Sequence, residues 1–306
     1  QNKMFKELFE ALFELNQHKN KPEVIFEKLP ALERFFREIK KYPFYTDLGV
    51  VCAKKGIDIQ KLISVKKYAE ILDLLLNARG LNYGALPKGL LKFHSYSNQF
   101  RTPLEEHLIE AFAYLKNKEG LINLHFTVSK EHRQLFEELT IQLLKLYNIL
   151  GVSDYQISFS EQKPSTDTIA VTLDNEPFLT REKSLLFRPG GHGALLENLQ
   201  DIEHSVIFIG NIDNVSPDRL KPLRIKYKEL LGGVLIQRVN NIHYFLRELE
   251  KGINSELKRG IIRFIKEFIS TEIAEVLSVL TDNDFILRAT EVLNKPVRVC
   301  GMVKNT

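Results

Sequence analysis

The chain has 306 residues, of which 44% are hydrophobic and 27% charged. That balance supplies enough apolar surface for one large or two smaller domains and excludes a disordered chain. A formal net charge of +4 is below what a dedicated nucleic-acid binder carries, and it suits small anionic ligands.

The first eighty residues read as helical. Phe5, Leu8, Phe9, Leu12 and Phe13 recur at helical spacing, as do Ile25, Leu29, Leu32, Phe35, Phe36 and Ile39. Lys3, Lys6 and Glu7 interrupt the start, so no signal peptide is expected there. Cys52 and Cys300 are the two cysteines. They make neither a disulfide framework nor a metal cluster, and they indicate a reducing, cytoplasmic compartment.

The texture changes near Arg79, where loop-like residues lead to Pro87-Lys88-Gly89. Thr102-Pro103-Leu104-Glu105-Glu106 predicts a helix start, with Thr102 as cap, Pro103 at the first helical position and acids at the positive end. Asn123–Val128, Tyr155–Ser160, Thr168–Leu173, Ser205–Ile209 and Gly233–Arg238 read as strands, with a helix over Glu131–Leu150. Ile242–Leu293 is helical, and Pro296–Val303 gives a closing strand signal. Within it, Gly260–Leu280 carries Arg263, Lys266, Glu267, Glu272 and Glu275, which makes it an amphipathic helix rather than a membrane span. The alternation predicts an α/β protein with an open, mostly parallel sheet and added helical regions. It divides into a helical region over 1–80, an α/β core over 81–238, and a helical segment over 239–306 that returns to a strand.

Four segments have the residue types for chemistry. In Arg188-Pro189-Gly190-Gly191-His192-Gly193-Ala194 the glycines let backbone approach a ligand, and the helix start after them offers free N–H groups to an anion. Ser205–Ile209 runs into Asn211-Ile212-Asp213-Asn214, and a carboxylate at a strand's carboxyl end can hold Mg²⁺. Lys88, between proline and glycine, suits a phosphate contact. Gln162 after a strand end can both donate to and accept from a base edge. Taken singly, each also reads as an ordinary turn or surface residue.

In this order the segments resemble the uridylyltransferases of the UDP-N-acetylhexosamine and UDP-glucose pyrophosphorylase superfamily, over roughly Leu81 to Pro217. The whole chain resembles the bacterial family catalogued as domain of unknown function 4301, in which Arg-Pro-Gly-Gly-His-Gly-Ala-Leu and Asn-Ile-Asp-Asn-Val are characteristic. The superfamily resemblance implies a Rossmann-like nucleotide-diphospho-sugar transferase fold, with a nucleoside triphosphate, UTP in those enzymes, and a sugar 1-phosphate as partners and Mg²⁺ as cofactor. It implies Lys88 and Asp213 as catalytic residues, with Asp213 on the metal. Gln162 and Gly191 would hold the base and His192 the ribose or sugar. Gly190, Gly193, Asn211 and Asn214 would complete the nucleotide and sugar contacts. The glycine-rich loop that wraps the triphosphate in those enzymes is not found. Lys3-Met4-Phe5-Lys6 resembles residues just after it, and Val299–Val303 resembles a point where the family continues, so a fragment is implied. A non-catalytic nucleotide-sugar binder is the alternative, and a helical interaction protein ranks third. Neither nucleic acid nor a membrane is expected as partner.

Overall fold

The computed structural model describes residues 2–17, 22–97, 99–149 and 155–302; for 2–5, 22–24, 148–149 and 192 it describes the backbone alone. It divides into two compact units, residues 1–221 and 222–306.

The first unit opens with six helices: α1 (Asn2–Gln17), α2 (Pro22–Lys28), α3 (Pro30–Arg37), α4 (Tyr45–Lys54), α5 (Ile59–Ser64) and α6 (Tyr68–Leu76). Proline starts α3, and the Asp58 carboxylate caps α5 by accepting from the Gln60 and Lys61 amides. Leu8, Ala11 and Leu15 of α1 bury one face against the apolar face of α6, with Ile71, Leu72 and Leu75 in the same core. Stacked rings seal this core, Phe36 lying on Tyr68 at 4.0 Å between centroids.

A small hairpin follows, β1 (His94–Ser95) pairing antiparallel with β2 (Phe100–Arg101), and leads into α7 (Pro103–Tyr114). Next come β3 (Ile122–Val128), α8 (Arg133–Ile149) and β4 (Tyr155–Glu161). β3 and β4 pair in parallel, Ile122 opposite Tyr155 and Val128 opposite Glu161. Parallel neighbours need a crossover, and α8 supplies it. Alternation sorts the faces. Leu124, Phe126, Ile157 and Phe159 pack with Leu104 and Leu108 of α7 and Phe136 of α8. Asn123, His125, Thr127, Gln156, Ser158 and Ser160 take the other face by register. Then come β5 (Thr168–Ile169), pairing antiparallel with β6 (Phe187–Arg188), and the short helix α9 (Leu196–Gln200).

The second unit is α-helical: α10 (Lys221–Lys251, whose first residue belongs to the first unit), α11 (Ser255–Phe268), α12 (Thr271–Ser278) and α13 (Asp282–Leu293). Asn254, Ser270 and Thr281 cap the last three. Ile242, Ile261, Ile265, Leu277, Phe285 and Ala289 are among its core residues.

The expected α/β architecture is not what the chain forms. Helix makes up 58% and strand 9%, and among the described residues there are three two-stranded sheets and no Rossmann-like parallel sheet. The strand expected at Gly233–Arg238 lies inside α10. Val-Leu-Ile there has no alternation to tell a strand from a buried helical turn, and 31 residues of continuous helix decide it. Residues 205–209 form no strand: Val206 and Ile209 face solvent, Phe208 packs on Tyr114, and among the described residues no strand pairs with this run. Residues 296–302 are likewise irregular.

Candidate functional site

Lys88 and Asp213, 125 positions apart, meet. Lys88 Nζ donates to Asp213 Oδ2 at 2.6 Å, with both side chains about one-third exposed. Glycine makes the approach possible. A Cβ on Gly89 would stand 2.7 Å from the Phe136 ring and 2.9 Å from Ile212 Cγ1. The Pro-Lys-Gly loop therefore rests directly on the residue before Asp213. The Lys88 hydrogen bond holds the Asp213 carboxyl below its usual range, outweighing partial burial, and the charge of Lys88 adds to it. Asn211 and Asn214 are exposed and close a turn, the Asn214 amide donating to the Asn211 carbonyl at 3.1 Å.

Gln162 and the glycine segment form a second group. Gln162 Nε2 donates to Asp167 Oδ1 at 3.2 Å. A Cβ on Gly190 would come within 3.1 Å of the Thr166 carbonyl oxygen and of the Ala194 Cβ, so Gly190 is tightly seated. Gly191 and Gly193 have open space around the Cβ position, and Gly191 has φ −74°, which any residue adopts. The His192 side chain lies outside the described residues. α9, which follows, has five residues, too short to supply the anion-binding helix start expected after the glycines. It is fastened to β4 instead: Asn198 Nδ2 donates to the Ser160 hydroxyl at 2.9 Å and the Glu161 carbonyl at 2.8 Å. Asn198 Oδ1 is buried and meets no partner.

Sequence reasoning missed two polar constellations. On β3, His125 bridges Ser158 and Ser160 of β4, each nitrogen 2.8 Å from a hydroxyl, and burial lowers its pKa. Beneath α7, Glu106 is fully buried and engages Lys221 Nζ, the Tyr96 hydroxyl at 2.6 Å and His94 Nδ1 at 2.8 Å. Arg101 Nη1 donates to both oxygens of Asp218 at 2.7 and 2.9 Å, a charge-assisted contact. Burial opposes the Asp218 charge, but the Lys221 and Arg101 hydrogen bonds outweigh it and the pKa falls. Burial, and then the hydrogen bond to Glu106, push the Tyr96 phenol well above its ordinary value. Neighbouring Glu105 accepts from Tyr147 at 3.0 Å, and burial raises its pKa.

No group of three or more His, Cys, Asp or Glu side chains among the described residues is arranged to hold a metal. A cleft of about 960 Å³ opens within the second unit, lined by Tyr244, Phe245, Lys251, Asn254, Arg259 and Arg263 among others. None of the motif residues lies on it. Among the described residues no helix is long and apolar enough to cross a membrane.

Fold and site together define a predominantly helical protein with one parallel strand–helix–strand unit and a Lys–Asp pair beside it. The chain matches the family described as domain of unknown function (DUF4301) over residues 1–306, and it belongs to that family. No curated protein and no solved structure matches it.

Proposed function

We propose that this chain serves a sugar-1-phosphate nucleotidyltransferase reaction, with UTP as the nucleotide that the motif resemblance favours. The observation that carries the reading is the 2.6 Å contact of Lys88 with Asp213. Two segments picked out for phosphate and metal chemistry, one from each side of the strand–helix–strand unit, converge there. A sugar 1-phosphate oxygen attacks the α-phosphorus, a P–O bond forms, and the bond to the pyrophosphate oxygen breaks. The nucleophile is already an anion, so positioning and charge neutralisation are the main requirements. Lys88 supplies a positive charge for phosphate oxygens, and Gln162 offers an amide to the base. The carboxylate of Asp213 suits Mg²⁺, which takes one or two carboxylates and completes its shell with water and substrate phosphates, while Asn211 and Asn214 on the same turn offer polar groups to the nucleotide or sugar. When bound, Mg²⁺ would neutralise phosphate charge. Two free thiols, Cys52 buried and Cys300 exposed, accord with a reducing cytoplasm.

The test is pyrophosphate release by the purified protein with UTP, a sugar 1-phosphate and Mg²⁺. Asp213→Ala should lower the rate by roughly 100- to 1,000-fold. Unchanged turnover would remove Asp213 from the mechanism. A second reading, a non-catalytic nucleotide-sugar binder, is favoured by the closed ion pair itself, because each charge is already partly neutralised by the other. Saturable UDP-sugar binding without turnover would select it.

A further inference from the structure

We infer that His107 is a positioning residue for the Lys88–Asp213 pair, fixing from α7 the backbone that carries Asp213. His107 Nε2 lies 3.1 Å from the Ile212 carbonyl oxygen. That oxygen can only accept, so Nε2 carries the proton. The imidazole is itself seated on the sheet, 6.3 Å from the Phe126 ring and edge-on to it. Ile212 is also the residue on which Gly89 rests. One residue thus registers both halves of the pair: its side chain beneath the Lys88 loop and its carbonyl on His107.

Within 211–220 the described backbone hydrogen bonds are two local turns, Asn211 to Asn214 and Pro217 to Leu220. Side chains also hold the segment, Lys88 on Asp213 and Tyr96 on Asp218 among them. Three more contacts come from or beside the start of α7. His107 takes Ile212, Arg101 takes Asp218, and Glu106 takes Lys221. Asp213 follows the first of these anchors by one residue. It is therefore the functional group most directly governed by the imidazole.

The inference rests on the proposed function only for the importance of the pair. Its test reads the geometry of the pair, by NMR on the whole chain. In the parent protein the Lys88 side-chain protons should show nuclear Overhauser contacts to the Asp213 β-protons. His107→Phe keeps a ring against Phe126 but has no donor, so those contacts should weaken and the Ile212 and Asp213 amide shifts should move. His107→Gln restores an N–H donor and should recover both. Backbone amide shifts along α7 check that each variant is folded. If His107→Phe leaves the Lys88–Asp213 contacts as in the parent, His107 does not position the pair. Equal losses in the Phe and Gln variants also defeat the inference. If the parent shows no such contacts, the pair itself is absent in solution, and the inference fails with it. Absence of turnover with the contact pattern intact leaves the inference standing and defeats only the proposed reaction.

Discussion

Replacing Lys221 by Met tests the polar network beneath α7. The Lys221 side chain is 7% exposed, and Glu106 is 0% exposed. Met keeps most of the length, so the change removes a charge while leaving little cavity. The lost contacts are those to Glu106, to the Ser216 carbonyl at 2.7 Å and to Asp218 at 3.2 Å. Breaking a buried ion pair from one side costs about 3–5 kcal/mol, because the other charge stays buried. Here Glu106 retains Tyr96 and His94, with Arg101 3.7 Å away. We therefore expect a cost near the lower end of that range, about 3 kcal/mol. Adding Glu106→Gln should recover part of the loss, since the residual charge disappears. The double-mutant cycle should show coupling within the ~0.5–3 kcal/mol seen for residues in contact. Because two units make a single midpoint ambiguous, native-state hydrogen exchange at the α7 amides is the appropriate readout. A cost for Lys221→Met below about 1 kcal/mol, the level of a surface salt bridge, would refute the assignment of this network as buried and unscreened.

Two further expectations concern packing and protonation. Gly89→Ala places a methyl against Phe136 and Ile212. Overpacking of this kind costs about 1–3 kcal/mol, so the thermal midpoint of the first unit should drop by roughly 2–4 °C per kcal/mol; an unchanged midpoint would mean the loop is not seated on Ile212. His125, lowered by burial, should remain neutral as pH falls through the ordinary histidine value of about 6.5. Its neutral state then contributes stability that is complete above that pH and is lost as pH falls through the lower folded value. An imidazole proton titration at or above the ordinary value would overturn this.

What was legible in the fold was local. The cap at Thr102 with Pro103 behind it is where the sequence puts it, the hydroxyl accepting from the Glu105 amide. β3 and β4 follow from alternation of Leu124, His125, Phe126 and Thr127 against Ile157, Ser158 and Phe159. What failed was the step from strand signals to a sheet. A strand is completed by a neighbour's backbone, and nothing in Val206-Ile207-Phe208-Ile209 states which neighbour is present. The segment lies instead beside α7, Phe208 edge-on to Tyr114 at 5.1 Å. A helix supplies its own hydrogen bonds, which is why the helical readings transferred better than the sheet.

The site divides in the same way. Lys88 and Asp213 stood out because each sits in a distinctive turn, and the structure brings them into contact. Glu106 did not stand out. In Thr102-Pro103-Leu104-Glu105-Glu106 the acids read only as dipole partners at a helix start, and both are buried. Lys221, which neutralises Glu106, and Asp218, which Arg101 binds, lie more than a hundred positions away. A carboxylate this deep requires cations at hydrogen-bonding distance. Glu106 therefore ties Lys221 to α7 selectively, since only a matching cation satisfies it. The same helix thus holds Ile212 through His107 and Lys221 through Glu106. The path between those two points, on which Asp213 lies, is set by α7 rather than by a sheet.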